Sequence, residues 1–352
     1  MSPSVFLGWL VVTVVTVVLT VAVGIGKETA SFDFVKREPV FADLRQAPDS
    51  AAQIEIKSRF GEFTMNKSGE GWVTPERNDY PIDGNDVRRL IVGLSDMRLV
   101  ERKTANPDRF YRLEVQDIDT ELSDSAYVKV ANARGSVLAE AIIGRPSARF
   151  FDGRVSGTYI REPGTNNVWL VSGVTNVQTR LTPWLQRDIV QIAAKQVAQI
   201  SIGEGERAYT LSRPAASDES FTITGAPEGR ELDGSKATSV SRALASVELE
   251  DVRPRSEIAL PSDAAVAAFS TFDGVTVTVR LAEIDRKKWA DFEATYTGDP
   301  EDQSDVAKTA RAIVDAINRR VGDWTYWLPS TTFENLTRPI NDMLVAKNDS
   351  SS

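Results

Sequence analysis

The chain has 352 residues, 41% hydrophobic and 26% charged, a composition that suits a folded protein with room for two ordinary domains. Its formal charge of −9 excludes the basic face that nonspecific nucleic-acid binding requires. It contains no His and no Cys, which removes Ser-His-Asp and Cys-His catalysis, zinc held by those residues, and iron–sulfur clusters.

Val5 to Ile25, "VFLGWLVVTVVTVVLTVAVGI", carries no charge over 21 positions. A helix rising about 1.5 Å per residue crosses roughly 30 Å of hydrocarbon in that length. A buried strand would be far shorter, and a cleaved signal peptide would carry a basic residue ahead of its apolar run. Residues 1–26 are therefore expected to form an uncleaved transmembrane anchor, followed by a polar stalk over 27–46. Lys27, Lys36 and Arg37 follow the span, so the positive-inside rule taken alone favours a cytoplasmic bulk.

The spacing then predicts a first unit over 47–195. Alternation gives strands at Gln53–Ser58 and Phe63–Lys67. "PIDGNDVRRLIVGLSDM" gives a helix with Val87, Leu90, Ile91, Leu94 and Met97 on one face. A strand at Leu99–Lys103, a loop "TANPDRFYRLEV" and strands at Ala126–Asn132 and Val137–Ile143 follow. A second unit over 196–346 replays this order. "VAQISI" from Val197 echoes "AAQIEI" from Ala51, and Asp233-Gly234 echoes Asp83-Gly84 ahead of a helix facing inward with Val240, Ala243, Leu244 and Val247. The second unit adds "EDQSDVAKTARAIVDAINRRV", a helix with Val306, Ala310, Ile313, Val314 and Ile317 as its apolar face and Ala307, Arg311, Asp315 and Arg319 as its solvent face. Residues 347–352 are expected to be a disordered tail. The expected fold class is α+β: an N-terminal transmembrane helix, then two tandem duplicated α+β units, each a mainly antiparallel sheet with a packed helix.

An apolar N-terminal span, then "GEGWVTPERNDYPIDGNDVRRLIVGLSDMRLVERKTANPDRFYRL", then "GTYIREPGTNNVWLVSG" and "WLQRDIVQI", resembles the domain of unknown function 4340 family. The resemblance implies a bacterial inner-membrane protein with a single span and its bulk in the periplasm, against the charge rule. It also implies partners, namely the permease and auxiliary subunits of an ABC transporter of the gliding-motility auxiliary kind. It carries no catalytic residues.

No Ser-x-x-Lys, Gly-x-Ser-x-Gly or phosphate-cradling glycine loop occurs, so ATP hydrolysis would belong to a partner. Asp117, Asp119 and Glu121 begin a calcium-loop spacing, but Leu122 and Val128 stand where Gly and Glu are needed. No enzyme activity, cofactor or metal is expected. The candidate binding residues are Arg145, Arg149, Phe150, Phe151 and Arg154 in "RPSARFFDGR", since Arg and aromatic side chains are enriched where partners dock. The competing reading puts the Phe rings against the sheet. "WTYWLP" at Trp324–Pro329 reads as core. The expected function is a non-catalytic, membrane-anchored periplasmic accessory or scaffold subunit of an envelope transport system. The alternatives are a periplasmic module binding glycan or lipid, and a carboxylate-based hydrolase.

Overall fold

The computed structural model describes residues 38–120, 122–147, 157–173, 177–205 and 208–347. The expected span at Val5–Ile25 and residues 348–352 lie outside them. Among the described residues no helix is long and apolar enough to cross a membrane.

The chain is α+β and its sheets are antiparallel. The first nine strands are β1 (Ala51–Ser58), β2 (Gly61–Ser68), β3 (Gly71–Thr74), β4 (Tyr80–Ile82), β5 (Leu99–Thr104), β6 (Ala126–Asn132), β7 (Val137–Ser147), β8 (Gly157–Arg161) and β9 (Val168–Ser172). They form one sheet in the order β4-β3-β2-β1-β6-β7-β8-β9-β5. Two helices accompany them, α1 (Ala42–Gln46) and α2 (Gly84–Ser95). Val87, Leu90, Ile91 and Leu94 of α2 and the following Met97 are all buried, as their spacing requires. The last residues of the expected stalk are folded: α1 buries Leu44, and Phe41 before it is also buried.

Next come β10 (Val197–Ile202), β11 (Tyr209–Ser212), β12 (Thr222–Thr224), β13 (Arg230–Leu232), α3 (Gly234–Ser241) and β14 (Asp251–Pro254). After them stand β15 (Ala265–Thr271), β16 (Val275–Ile284), β17 (Lys287–Tyr296), α4 (Asp305–Val321), β18 (Trp324–Trp327), α5 (Ser330–Leu336) and β19 (Leu344–Ala346). The second sheet runs β12-β11-β10-β15-β16-β17-β18-β14, and β13 pairs with β19 separately.

The two orders correspond strand for strand once β4 is set aside. The correspondence extends to irregularities. β1 is bulged between Ala51 and Gln53 against β6, and β10 is bulged between Val197 and Gln199 against β15, at the matching place in "AAQIEI" and "VAQISI". The Asp83 amide donates to the Trp184 carbonyl at 2.8 Å, and the Asp233 amide donates to the Met343 carbonyl at 2.9 Å. A bulge is a specified feature of a strand, so its recurrence is more telling than shared alternation.

Compactness divides the chain differently from contiguous repeats over 47–195 and 196–346. One unit is Met1–Thr64 with Asn85–Thr179, and the other is Met65–Gly84 with Arg180–Ser352. Within the second unit the Tyr80 ring meets Trp324 edge-on at 4.9 Å and Tyr326 at 6.3 Å, which ties the 65–84 segment to its core.

Helix α4 departs in detail from its expected faces. Ala307, Ala310, Ile317 and Val321 are buried, Ile313 and Val314 are half-buried, and Val306 is exposed. Ala307 was expected in solvent. It turns inward because it lies on the face it shares with Ala310, Ile317 and Val321, which packs against β17 and β16; the Ser304 hydroxyl, accepting from the Ala307 amide, caps the helix start. Arg311 lies over the Tyr296 ring at 4.9 Å rather than free in water. Asn318 exchanges two 2.8 Å hydrogen bonds with the backbone of Ala294, covering β17 where β18 no longer pairs. In β18, Thr325 and Tyr326 are both buried while Trp324 and Trp327 are half-buried, so the strand is covered on both faces.

Candidate functional site

Among the described residues of the first unit, the long connection between β5 and β6, residues 105–125, stands outside the sheet. It is irregular and long for a connection inside a compact domain, and such loops are commonly functional. Its N-terminal part is a short 3-10 turn over Pro107–Arg112, with the Asn106 side chain accepting from the Asp108 amide at 3.0 Å. Phe110 is driven into a cluster with Val115, Ile142 and Val168, against which Leu113, Tyr127 and Tyr159 pack.

Two devices pin the loop to the sheet and a third ties the loop to itself. Arg161 at the end of β8 is only 2% exposed, and its guanidinium stacks on Phe110 at 4.8 Å. It donates to the carbonyls of Val115 at 2.8 Å and Thr165 at 2.9 Å, and to the carboxylate of Asp117. A buried guanidinium needs such partners for its donors, and the loop supplies two of them, the Val115 carbonyl and the Asp117 carboxylate, while the β8–β9 turn supplies the third at Thr165. Gly144 in β7 is the second device. A Cβ there would strike the Leu113 carbonyl, and would lie 2.6 Å from Val115 Cγ1 and 2.8 Å from the Glu114 carbonyl. The third is a buried hydroxyl pair, in which Ser125 donates to the Gln116 carbonyl at 2.8 Å and meets Ser123 at 2.6 Å.

What this framework holds out is unusual. Leu122 has φ +59 and is 77% exposed; Tyr111 is 57% exposed, with the Arg112 guanidinium over its ring at 5.5 Å. A bulky residue at positive φ is strained by about 1–2 kcal/mol, and burial does not repay that cost here. The loop is thus fixed on one side and presents two large apolar side chains on the other. Chemically it can offer contact area and an Arg donor.

Of the sequence candidates, Arg145 is exposed on β7 beside this loop, and its amide donates to the Leu113 carbonyl at 3.1 Å. Arg149, Phe150, Phe151 and Arg154 lie outside the described residues, as does Glu121. Asp117, in the stretch with the failed calcium-loop spacing, keeps a solvent-exposed carboxylate that also accepts from Arg161. Sequence reasoning missed Tyr111, Leu122 and the role of Arg161. The adjacent Phe110-Tyr111 pair after Asn-Pro was the available signal, an aromatic pair in a stretch without periodicity.

The second unit has a buried polar network on β14. Asp251 accepts from Arg77 Nε at 2.6 Å and from Arg253 at 3.1 Å; Asp291 accepts from Thr325 at 2.6 Å and lies 3.6 Å from Arg255. Asp251 on the edge strand is hydrogen-bonded by two guanidinium groups, whereas Asp291 relies on the Thr325 hydroxyl and the buried Arg255 Nε beside it has no hydrogen-bond partner. Among the described residues no group of acidic side chains is placed to hold a metal ion.

The chain matches the domain of unknown function DUF4340 over residues 72–267, more than half its length. It belongs to that family. The matched stretch begins in β3, includes the pinned loop, and ends in β15. No curated protein matches the chain.

Proposed function

We propose that this protein is a non-catalytic accessory or scaffold subunit of a bacterial envelope ABC-type transport system. In this reading a single span over Val5–Ile25 holds it in the inner membrane, with its bulk in the periplasm. Its partners are the permease and auxiliary subunits, and ATP hydrolysis is theirs. The two sheets are copies of one ancestral α+β unit, a reading supported by their strand orders and matching bulges. The observation that carries the functional reading is the loop 105–125. A framework of buried hydrogen bonds around Arg161 holds part of the loop against the sheet, while Leu122, at positive φ, and Tyr111 stand exposed, which suits protein contact.

The test is co-purification of the full chain from membranes, with the permease and ATPase identified by mass spectrometry, comparing wild type with Tyr111→Ala/Leu122→Gly. Leu122→Gly relieves positive-φ strain, so stability should hold or rise by about 1 kcal/mol. Partner recovery should nonetheless fall at least tenfold, the equivalent of about 1.4 kcal/mol. Undiminished recovery by a stable variant would overturn the role of the loop. Full transport function from a chain lacking residues 1–26 would overturn the anchor.

A further inference from the structure

We draw no further inference here: the strongest candidate, the hydroxyl-lined outer face of the second sheet, where Ser201 meets Thr210 across β10 and β11 and Ser270 meets Thr276 across β15 and β16, is an open sheet face, and nothing in the structure shows what covers it.

Discussion

Two sheets with corresponding strand orders have been elaborated at different places. Where the first sheet connects β5 to β6 through residues 105–125, the second connects β14 to β15 through 255–264, half the length. Where the second unit places the helix α4 after β17, the first has no described helix between β8 and β9. The shared part is what a sheet needs in order to close a core. The differing parts are where each unit presents a surface. In the first that surface is a loop pinned by the buried Arg161; in the second, the half-buried Arg213 donates to the carbonyls of Ala194, Val197 and Asp218. The same side chain, with three donors on carbonyls or a carboxylate, thus clamps irregular backbone in both units.

The largest test of that contrast removes the two guanidinium groups. Arg161→Ala leaves the buried Val115 carbonyl without its donor, removes the contacts to the half-buried Thr165 carbonyl and the exposed Asp117, and empties the space beside Phe110, which is expected to cost about 3 kcal/mol. Arg213→Ala, at a wetter site, should cost about 1–2 kcal/mol. Urea unfolding measures both, and equal losses would erase the distinction between a buried and a half-buried clamp.

A second test uses pH. In the second unit burial raises the Tyr80 hydroxyl to about 12 and the Tyr209 hydroxyl to about 12, and pushes Tyr326 well above its ordinary value. A raised folded-state pKa means that the folded state holds its proton longer. The stabilisation is complete below pH 10 and is lost as pH climbs towards 12. For Tyr80 the two-unit rise corresponds to about 2–3 kcal/mol. Stability followed from pH 9 to 12 should therefore fall less steeply in Tyr80→Phe. That variant should also be weaker at pH 8, because the Tyr80 hydroxyl donates to the Gln186 carbonyl at 2.8 Å. Parallel slopes for wild type and Tyr80→Phe would refute this assignment.

The smallest expected effect separates turn strain from functional strain. The β16–β17 hairpin turns through Asp285 and Arg286, at φ +52 and +63, a turn that favours Gly in the second position. Arg286→Gly should raise stability by about 0.5–1 kcal/mol, seen as a higher Tm, with partner recovery unchanged. Leu122→Gly should match it in stability yet differ in partner recovery. If both substitutions leave recovery untouched, positive φ at Leu122 is ordinary turn strain.

Local pattern carried much of the architecture into view. The faces of α2, the strands at Ala126–Asn132 and near Leu99, and the repeated Ala-Gln-Ile strands all follow from periods of two or 3.6 residues, which depend only on the sequence of apolar positions. The absence of His and Cys likewise bounded the chemistry before any fold was known. Tertiary structure alone decided what depends on residues distant in the chain. That Arg161 would reach back to Val115 and Asp117, that Gly144 would be needed to admit the Leu113–Val115 backbone, and that 65–84 would pack with 180–352 are long-range facts. So is the buried face of α4, where packing against β16 and β17 turned Ala307 inward and left Val306 in water. Periodicity fixes which residues share a face. Which face is buried, and which loop is held against it, is set by partners that the sequence does not place side by side.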